Sequence, residues 1–169
     1  MIEKLKQSRL VNGILLIGGL LSIKFLFSTI QNPILSILSI IASIAIIYFL
    51  YRATALHRDH DCDGKISFGS AFYFSFRLYA VGSIISSLVT FIYTGFINTE
   101  YLELFTSQLF KAYESMGIKI DDRTYEYIQL FFKPSSFAFF SIFSSLFVSA
   151  FWSLIIAAIV KKDKNVFEA

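Results

Sequence analysis

The chain has 169 residues, of which 56% are hydrophobic and only 16% charged, and its mean hydropathy is +0.66. A soluble domain carries about 25% charged residues, so this much apolar surface requires lipid around it. The net charge of +3 is small and the basic residues stand at segment ends instead of along one stripe, which excludes a nucleic-acid role. The single cysteine, Cys62, excludes an internal disulfide.

The N-terminal MIEKLKQSR precedes an apolar run and so has the outline of a signal peptide, but IKFLFSTIQNP offers no small-residue cleavage site. The run is therefore read as a retained first span, residues 10–30, with Lys24 as its one charge. Gln31, Asn32 and Pro33 end it, because proline disfavours helix at the residue before it. A second span, 34–51, is uncharged; a third, 72–97, carries Arg77 near its start; a fourth, 137–160, is again uncharged. Each run, at about 17 to 25 residues, is long enough to cross a hydrocarbon core as a helix, and none alternates as a barrel strand would. The predicted fold class is all-α: one polytopic membrane domain over residues 1–169, with four transmembrane helices and two short amphipathic helices in the external connection.

That connection, 98–136, contains NTEYLELFTSQLFKAYESMG, in which Leu102, Phe105, Leu109, Tyr113 and Met116 recur at helical spacing. Asn98 or Thr99 is available as its N-cap and Gly117 as its stop. DDRTYEYIQLFFKP follows, with Asp121 or Asp122 as cap, Tyr125, Ile128 and Phe131 or Phe132 on one face, and Pro134 closing it. The aromatic faces predict a lid packed on the four spans, or else a docking surface for a partner.

Lysine and arginine counts orient the spans. Lys4, Lys6 and Arg9 lie in the N-terminal tail, Arg52, Arg58 and Lys65 in the second connection, and Lys161, Lys162 and Lys164 in the C-terminal tail; the first connection has none. Four spans bring these three clusters to one side, which is predicted to be cytoplasmic, with both termini. In lipid, helices associate through small residues. Gly18 and Ser22 in the first span, Ser39 and Ser43 in the second, Gly82 and Ser86 in the third, and Ser145, Ser149 and Ser153 in the fourth form the expected seams. Serines lining a permeation path are the functional alternative. Lys24 and Arg77, the membrane-embedded charge candidates, stand near opposite ends of their spans and read as snorkelling anchors, Arg77 also as a holder of a lipid phosphate. No Asp, Glu or His falls inside a span, which counts against a proton-coupled pump.

The stretch DHDCDGKISFGS, Asp59–Ser70, carries the densest chemistry. Asp59, Asp61 and Asp63 occupy positions one, three and five of a twelve-position calcium loop, Gly64 position six and Ser67 position nine. Position twelve, which should be a bidentate Glu, is Ser70, so calcium is not favoured. His57, His60 and Cys62 are the weaker zinc candidates, with no second Cys/His cluster to complete four ligands. The expected state is a hydrated turn without metal or cofactor. No nucleophile elbow, phosphate loop or HExxH motif is present, and the spacing of Glu100, Glu103, Glu114, Asp121, Asp122 and Glu126 selects no acid–base pair.

The sequence NGILLIGGLLS in the first span, YRA ending the second, GKISFGSAF leading into the third and SLIIAAIVKK at the end resemble the bacterial membrane proteins of domain-of-unknown-function family forty-one ninety-nine. The resemblance covers nearly the whole chain. Gly64, Ile66, Ser67, Phe68 and Gly69 are its most specific piece, and the three aspartates are not part of it. It implies a four-helix inner-membrane protein without an established activity. The reading is a non-catalytic structural or accessory component of a membrane process, in contact with lipid and with a membrane-protein partner or further copies of itself. A subunit of an oligomeric transporter or channel is the alternative, and a metal-responsive sensor acting through Asp59–Ser70 the second.

Overall fold

A chain in lipid must satisfy its backbone polar groups within each segment, and among the described residues every regular element is a helix. The computed structural model describes residues 2–30 and 32–162, with side chains from Gln7 onward. Gln31, Lys164 and the side chains of Lys4 and Lys6, used above for the first turn and for orientation, lie outside the described residues. The elements are α1 (Ile2–Thr29), α2 (Pro33–Asp61), α3 (Phe68–Ile92) with a π-helical extension Tyr93–Ile97, α4 (Glu100–Ser115), α5 (Asp122–Phe131) and α6 (Pro134–Val160). Four stretches, Gln7–Thr29, Pro33–Asp61, Phe68–Ile97 and Pro134–Val160, are long and apolar enough to cross a membrane.

Several boundaries move from their expected places, each for a local reason. α2 does not stop at Tyr51 but runs to Asp61, with Arg58 in its last turn, where a cation complements the helix dipole. It starts at Pro33, whose missing N–H costs nothing at the first helical position, and the Asn32 side chain accepts from the Ile34 N–H at 2.9 Å. α3 begins at Phe68, earlier than the expected 72, because the Ser67 hydroxyl accepts from the Ser70 N–H at 3.3 Å. Pro134, expected to close the second external helix, instead opens α6; α5 has already ended at Phe131. Met116 falls beyond α4 and is largely exposed, so it does not belong to the inward face of that helix.

The chain divides into two compact units, residues 1–86 with 142–169, and residues 87–141. In the first, Gly13 of α1 meets Leu78 of α3 and Gly18 meets Gly82, so these helices run parallel. The Ser39 hydroxyl of α2 donates to the Lys24 carbonyl of α1 at 3.4 Å, and the Ser149 hydroxyl of α6 donates to the Phe76 carbonyl of α3 at 3.2 Å. Ile44, Ile47 and Tyr48 of α2 share an apolar groove with Trp152, Ile155 and Ile159 of α6. Each helix thus has two neighbours, and Ile17, Leu50, Leu78 and Ile156 fill the space between them. The outward surface is apolar too: Ile34, Ile37, Ile40 and Ile44 on α2 and Phe147 and Phe151 on α6 are exposed, as lipid-facing positions are.

The small residues are distributed unevenly between contact and periphery. Ser149, Ser153 and Ala157 are fully buried and Ser22 nearly so, while Ser86 and Ser145 are half-buried. Several buried hydroxyls turn onto carbonyls of their own helices: Ser22 to Gly18 at 2.8 Å, Thr54 to Leu50 at 2.8 Å, Ser75 to Ala71 at 2.9 Å; Ser43, half-buried, donates to Ser39 at 3.0 Å in the same way. That back-bonding removes the hydroxyl from any water path and leaves a small, self-satisfied surface for packing. Among the described residues the Ser153 hydroxyl is buried without a partner.

The second unit holds the end of α3, the π-helical segment, α4, α5 and the start of α6. Leu102 and Thr106 are its buried positions on α4, and Gly117, at φ 72°, ends that helix in a backbone conformation suited to glycine. Phe110 stacks on Tyr125 at 4.5 Å, Phe105 meets Phe132 at 5.3 Å, and Phe131 meets Phe140 at 4.6 Å, so aromatic pairs join α4 to α5 and α5 to α6. The Ser87 hydroxyl donates to the Ala138 carbonyl at 2.7 Å, tying α3 to α6.

Gly18 and Gly82 meet backbone to backbone. A Cβ on Gly82 would stand 3.0 Å from the Gly18 nitrogen and 3.3 Å from the Ile14 carbonyl, atoms that cannot rotate away, whereas a Cβ on Gly19 meets nothing within 4 Å. Gly82→Ala is expected to lower the thermal midpoint in detergent, at a cost of about 1–3 kcal/mol. Gly19→Ala is expected to leave it unchanged or raise it, gaining up to about 1 kcal/mol of helix propensity.

Candidate functional site

The Asp59–Ser70 stretch is built from the end of α2, a tight turn, and the start of α3. Asp63 and Gly64 have φ of 52° and 76°, and the Lys65 N–H reaches back to the Cys62 carbonyl at 3.0 Å. Two central residues with positive φ define a type I′ turn, for which Asp-Gly is a favoured pair. The third aspartate of the apparent calcium motif is therefore there for backbone geometry. The Gly64 N–H also bonds the Arg58 carbonyl at 2.9 Å, holding the turn against the end of α2.

The first two aspartates lie in the last turn of α2 and do different things. Asp59 is half-exposed and bonds the neighbouring Arg58 guanidinium at 2.7 and 3.2 Å. Asp61 has only 3% of its side chain exposed; one oxygen takes the Arg9 guanidinium of α1 at 3.0 Å and the other takes His57 Nδ1 at 3.0 Å. Asp61 departs from the expected hydrated turn, being buried and ion-paired, while Asp59, His60 and Asp63 are exposed. Among the described residues no group of three or more His, Cys, Asp or Glu side chains is placed to hold a metal ion.

Further contacts extend this arrangement to all four long helices. His57 stacks face to face on Phe74 of α3, with ring centres 3.9 Å apart and planes 2° from parallel. Arg58 Nη1 donates to the Val160 carbonyl, the last residue of α6, at 3.2 Å. Ile66 and Lys162 exchange two backbone bonds, at 3.0 and 2.9 Å, and Ile66 is buried in the core. The stretch works as a clasp that links α1, α2, α3 and the end of α6.

Cys62 Sγ lies 3.7 Å from His57 Nε2, so Cys62, His57 and Asp61 have the order of nucleophile, base and orienting carboxylate. The setting opposes that chemistry. The three groups sit at the C-terminal end of α2, where the helix dipole disfavours a thiolate.

A cleft of about 730 Å³ opens beside the clasp, between Gln7 and Leu10 of α1 and Gly69, Tyr73 and Arg77 of α3, with His57 also lining it. Arg77 is exposed to this cleft, and Lys24 is half-buried on α1. With Gly18 level with Gly82, Lys24 stands about eleven residues, roughly 16 Å, along the bundle from the level of Arg77. The structure therefore does not bring the two embedded charges together. Helical side chains lean toward the helix N-terminus, which carries Arg77 toward the clasp end and carries Lys24 away from the end of α1 nearest to it.

The second unit has its own cleft of about 510 Å³ along α4 and α5, lined by Glu103, Thr106, Phe110, Tyr125, Gln129 and Lys133. Burial pushes the nearby Tyr101 phenol up, and Tyr93 adds to the shift.

A family whose members are described as a protein of unknown function, DUF4199, has a model that matches residues 11–162. The chain belongs to DUF4199. That span takes in His57, Arg58, Asp61 and both embedded charges, but Arg9 and the first turns of α1 lie outside it. No curated protein and no solved structure matches this DUF4199 chain.

Two expectations follow from the clasp. Asp61→Asn should cost about 1–3 kcal/mol in detergent unfolding, the lower part of the range reflecting solvent access to Arg9, while Asp59→Asn should leave the midpoint unchanged. The melting temperature should also be flat across calcium and zinc titrations and after chelation; a rise that Asp61→Ala abolishes would make the stretch a metal site.

Proposed function

We propose that this membrane protein is a non-catalytic structural or accessory component of a bacterial inner-membrane process, with both termini in the cytoplasm. The observation that carries the reading is the clasp: Asp61 and His57, whose types promised a metal ligand or a catalytic base, are engaged in holding α2 to α1 and α3. The back-bonded hydroxyls along the seams support the same reading, since they serve packing and not a polar path. Orientation is supported by the basic residues that gather at the clasp end, Arg9, Arg52, Arg58, Lys65, Lys161 and Lys162, against none in the connection between α1 and α2. The exposed apolar residues of the second unit, among them Leu104, Tyr127 and Leu130, supply a surface for a membrane-protein partner or for the bilayer boundary.

Native mass spectrometry from mild detergent tests the accessory role. A monomer, or a complex with a different membrane protein, is the expected result; a symmetric oligomer with Arg77 facing a central cavity would move the assignment to a transporter or channel subunit. For the orientation, a reporter that fluoresces only in the cytoplasm should be active when fused to the C-terminus and silent when inserted at Gly117. The reverse pattern would place the clasp outside.

A further inference from the structure

We propose that the Arg77 cleft is a binding site for an anionic phospholipid, with the lipid phosphate on Arg77 and the acyl chains along the flank formed by α1 and α3. The inference requires the four long helices to lie in a bilayer, and it is independent of the accessory role and of which membrane face the clasp occupies.

The charge balance of this end is the first argument. Arg9 and Arg58 each hold an aspartate, at 3.0 and 2.7 Å, whereas among the described residues no carboxylate lies within ion-pair distance of Arg77 and none lines its cleft. A cation at this depth without an internal counter-ion takes its anion from outside the chain. Guanidinium is also the side chain whose planar fork of donors best matches phosphate.

Position is the second argument. Arg77 is nine residues into α3, roughly 13 Å from its start, and its side chain leans back toward that start. Tyr73, one turn nearer the helix start and largely exposed, and Gln7 across the cleft line the same cleft and add a phenol and an amide to its wall. Donors, an aromatic body and a cation at the headgroup boundary are the ingredients of an interfacial lipid site.

Shape is the third. The cleft, at about 730 Å³, exceeds what a lone phosphate fills. Below it on the same faces, Val11 and Leu15 of α1 and Val81 and Ile84 of α3 are exposed apolar side chains, continuing the α3 stripe from Tyr73 and Arg77 at intervals of three and four. A headgroup held at Arg77 has its chains directed along that stripe.

The test extracts the protein from vesicles of equal phosphatidylglycerol and phosphatidylcholine into mild detergent and counts retained lipids by native mass spectrometry. Wild type should keep phosphatidylglycerol over phosphatidylcholine by roughly tenfold, the worth of one charge-assisted contact. Arg77→Gln should lose that preference, Arg77→Lys should keep part of it, and Lys24→Gln should keep all of it. Gly69→Trp provides a second route that leaves the charge in place: Gly69 lines the cleft, and a Cβ there meets nothing within 4 Å, so the indole fills the site and should expel the lipid. Equal retention of the two lipids by wild type, or an undiminished preference in Arg77→Gln and Gly69→Trp, would overturn the proposal. Displacement of phosphatidylglycerol by inorganic phosphate would assign the site to a free anion and overturn the lipid.

Discussion

Helices surrounded by lipid gain almost nothing hydrophobically by touching one another, because acyl chains are as apolar as leucine. Their association therefore depends on how closely backbones approach and on polar contacts that lipid cannot replace. Both devices are present in the first unit. At the level of Gly18 and Gly82 the α1 and α3 backbones come into van der Waals contact, and at the clasp Arg9, Asp61, His57 and Arg58 tie helix ends together. The remaining features follow from these two: serines fall where neighbours come near, and large apolar side chains such as Phe147 face outward.

The clasp also answers what an aspartate-rich turn is doing between two membrane helices. A calcium loop needs its carboxylates to converge on one point; here Asp59 faces solvent beside Arg58, Asp61 is buried between Arg9 and His57, and Asp63 shares a turn with Gly64 that needs positive φ at both residues. Three residues that look like one motif have three separate physical causes. The same logic applies to Cys62 and His57, whose nucleophile-and-base order is housed at the end of a helix where the dipole opposes a thiolate.

How much of this was legible in the sequence depended on range. Long apolar runs identified the four spans, and the small-residue spacing picked out Gly18, Gly82, Ser149 and Ser153, because these signals are local and periodic. The end of α2 was misjudged: charge at Arg52 and Arg58 marks where lipid ends and not where the helix ends, and His57 and Asp61 stand four apart on the continued helix. Had that helix been extended, their pairing would have been readable as an i, i+4 contact. The partnership of Asp61 with Arg9 was not readable, since nothing local relates residues so distant in the chain, and the arginine served equally well as an orientation charge. The cleft at Arg77 was half visible: the embedded cation was plain, while its enclosure by Gln7 and His57 required the helices to be assembled.

Asp61 and Arg9 couple α1 to α2 as an energetic unit. A double-mutant cycle of Arg9→Gln, Asp61→Asn and the double variant, followed by reversible unfolding in detergent, measures that coupling directly. The clasp predicts an interaction energy of about 0.5–3 kcal/mol, with the double variant little worse than either single change. Additive losses, with an interaction energy indistinguishable from zero, would contradict it and return Asp59–Ser70 to the status of an ordinary turn.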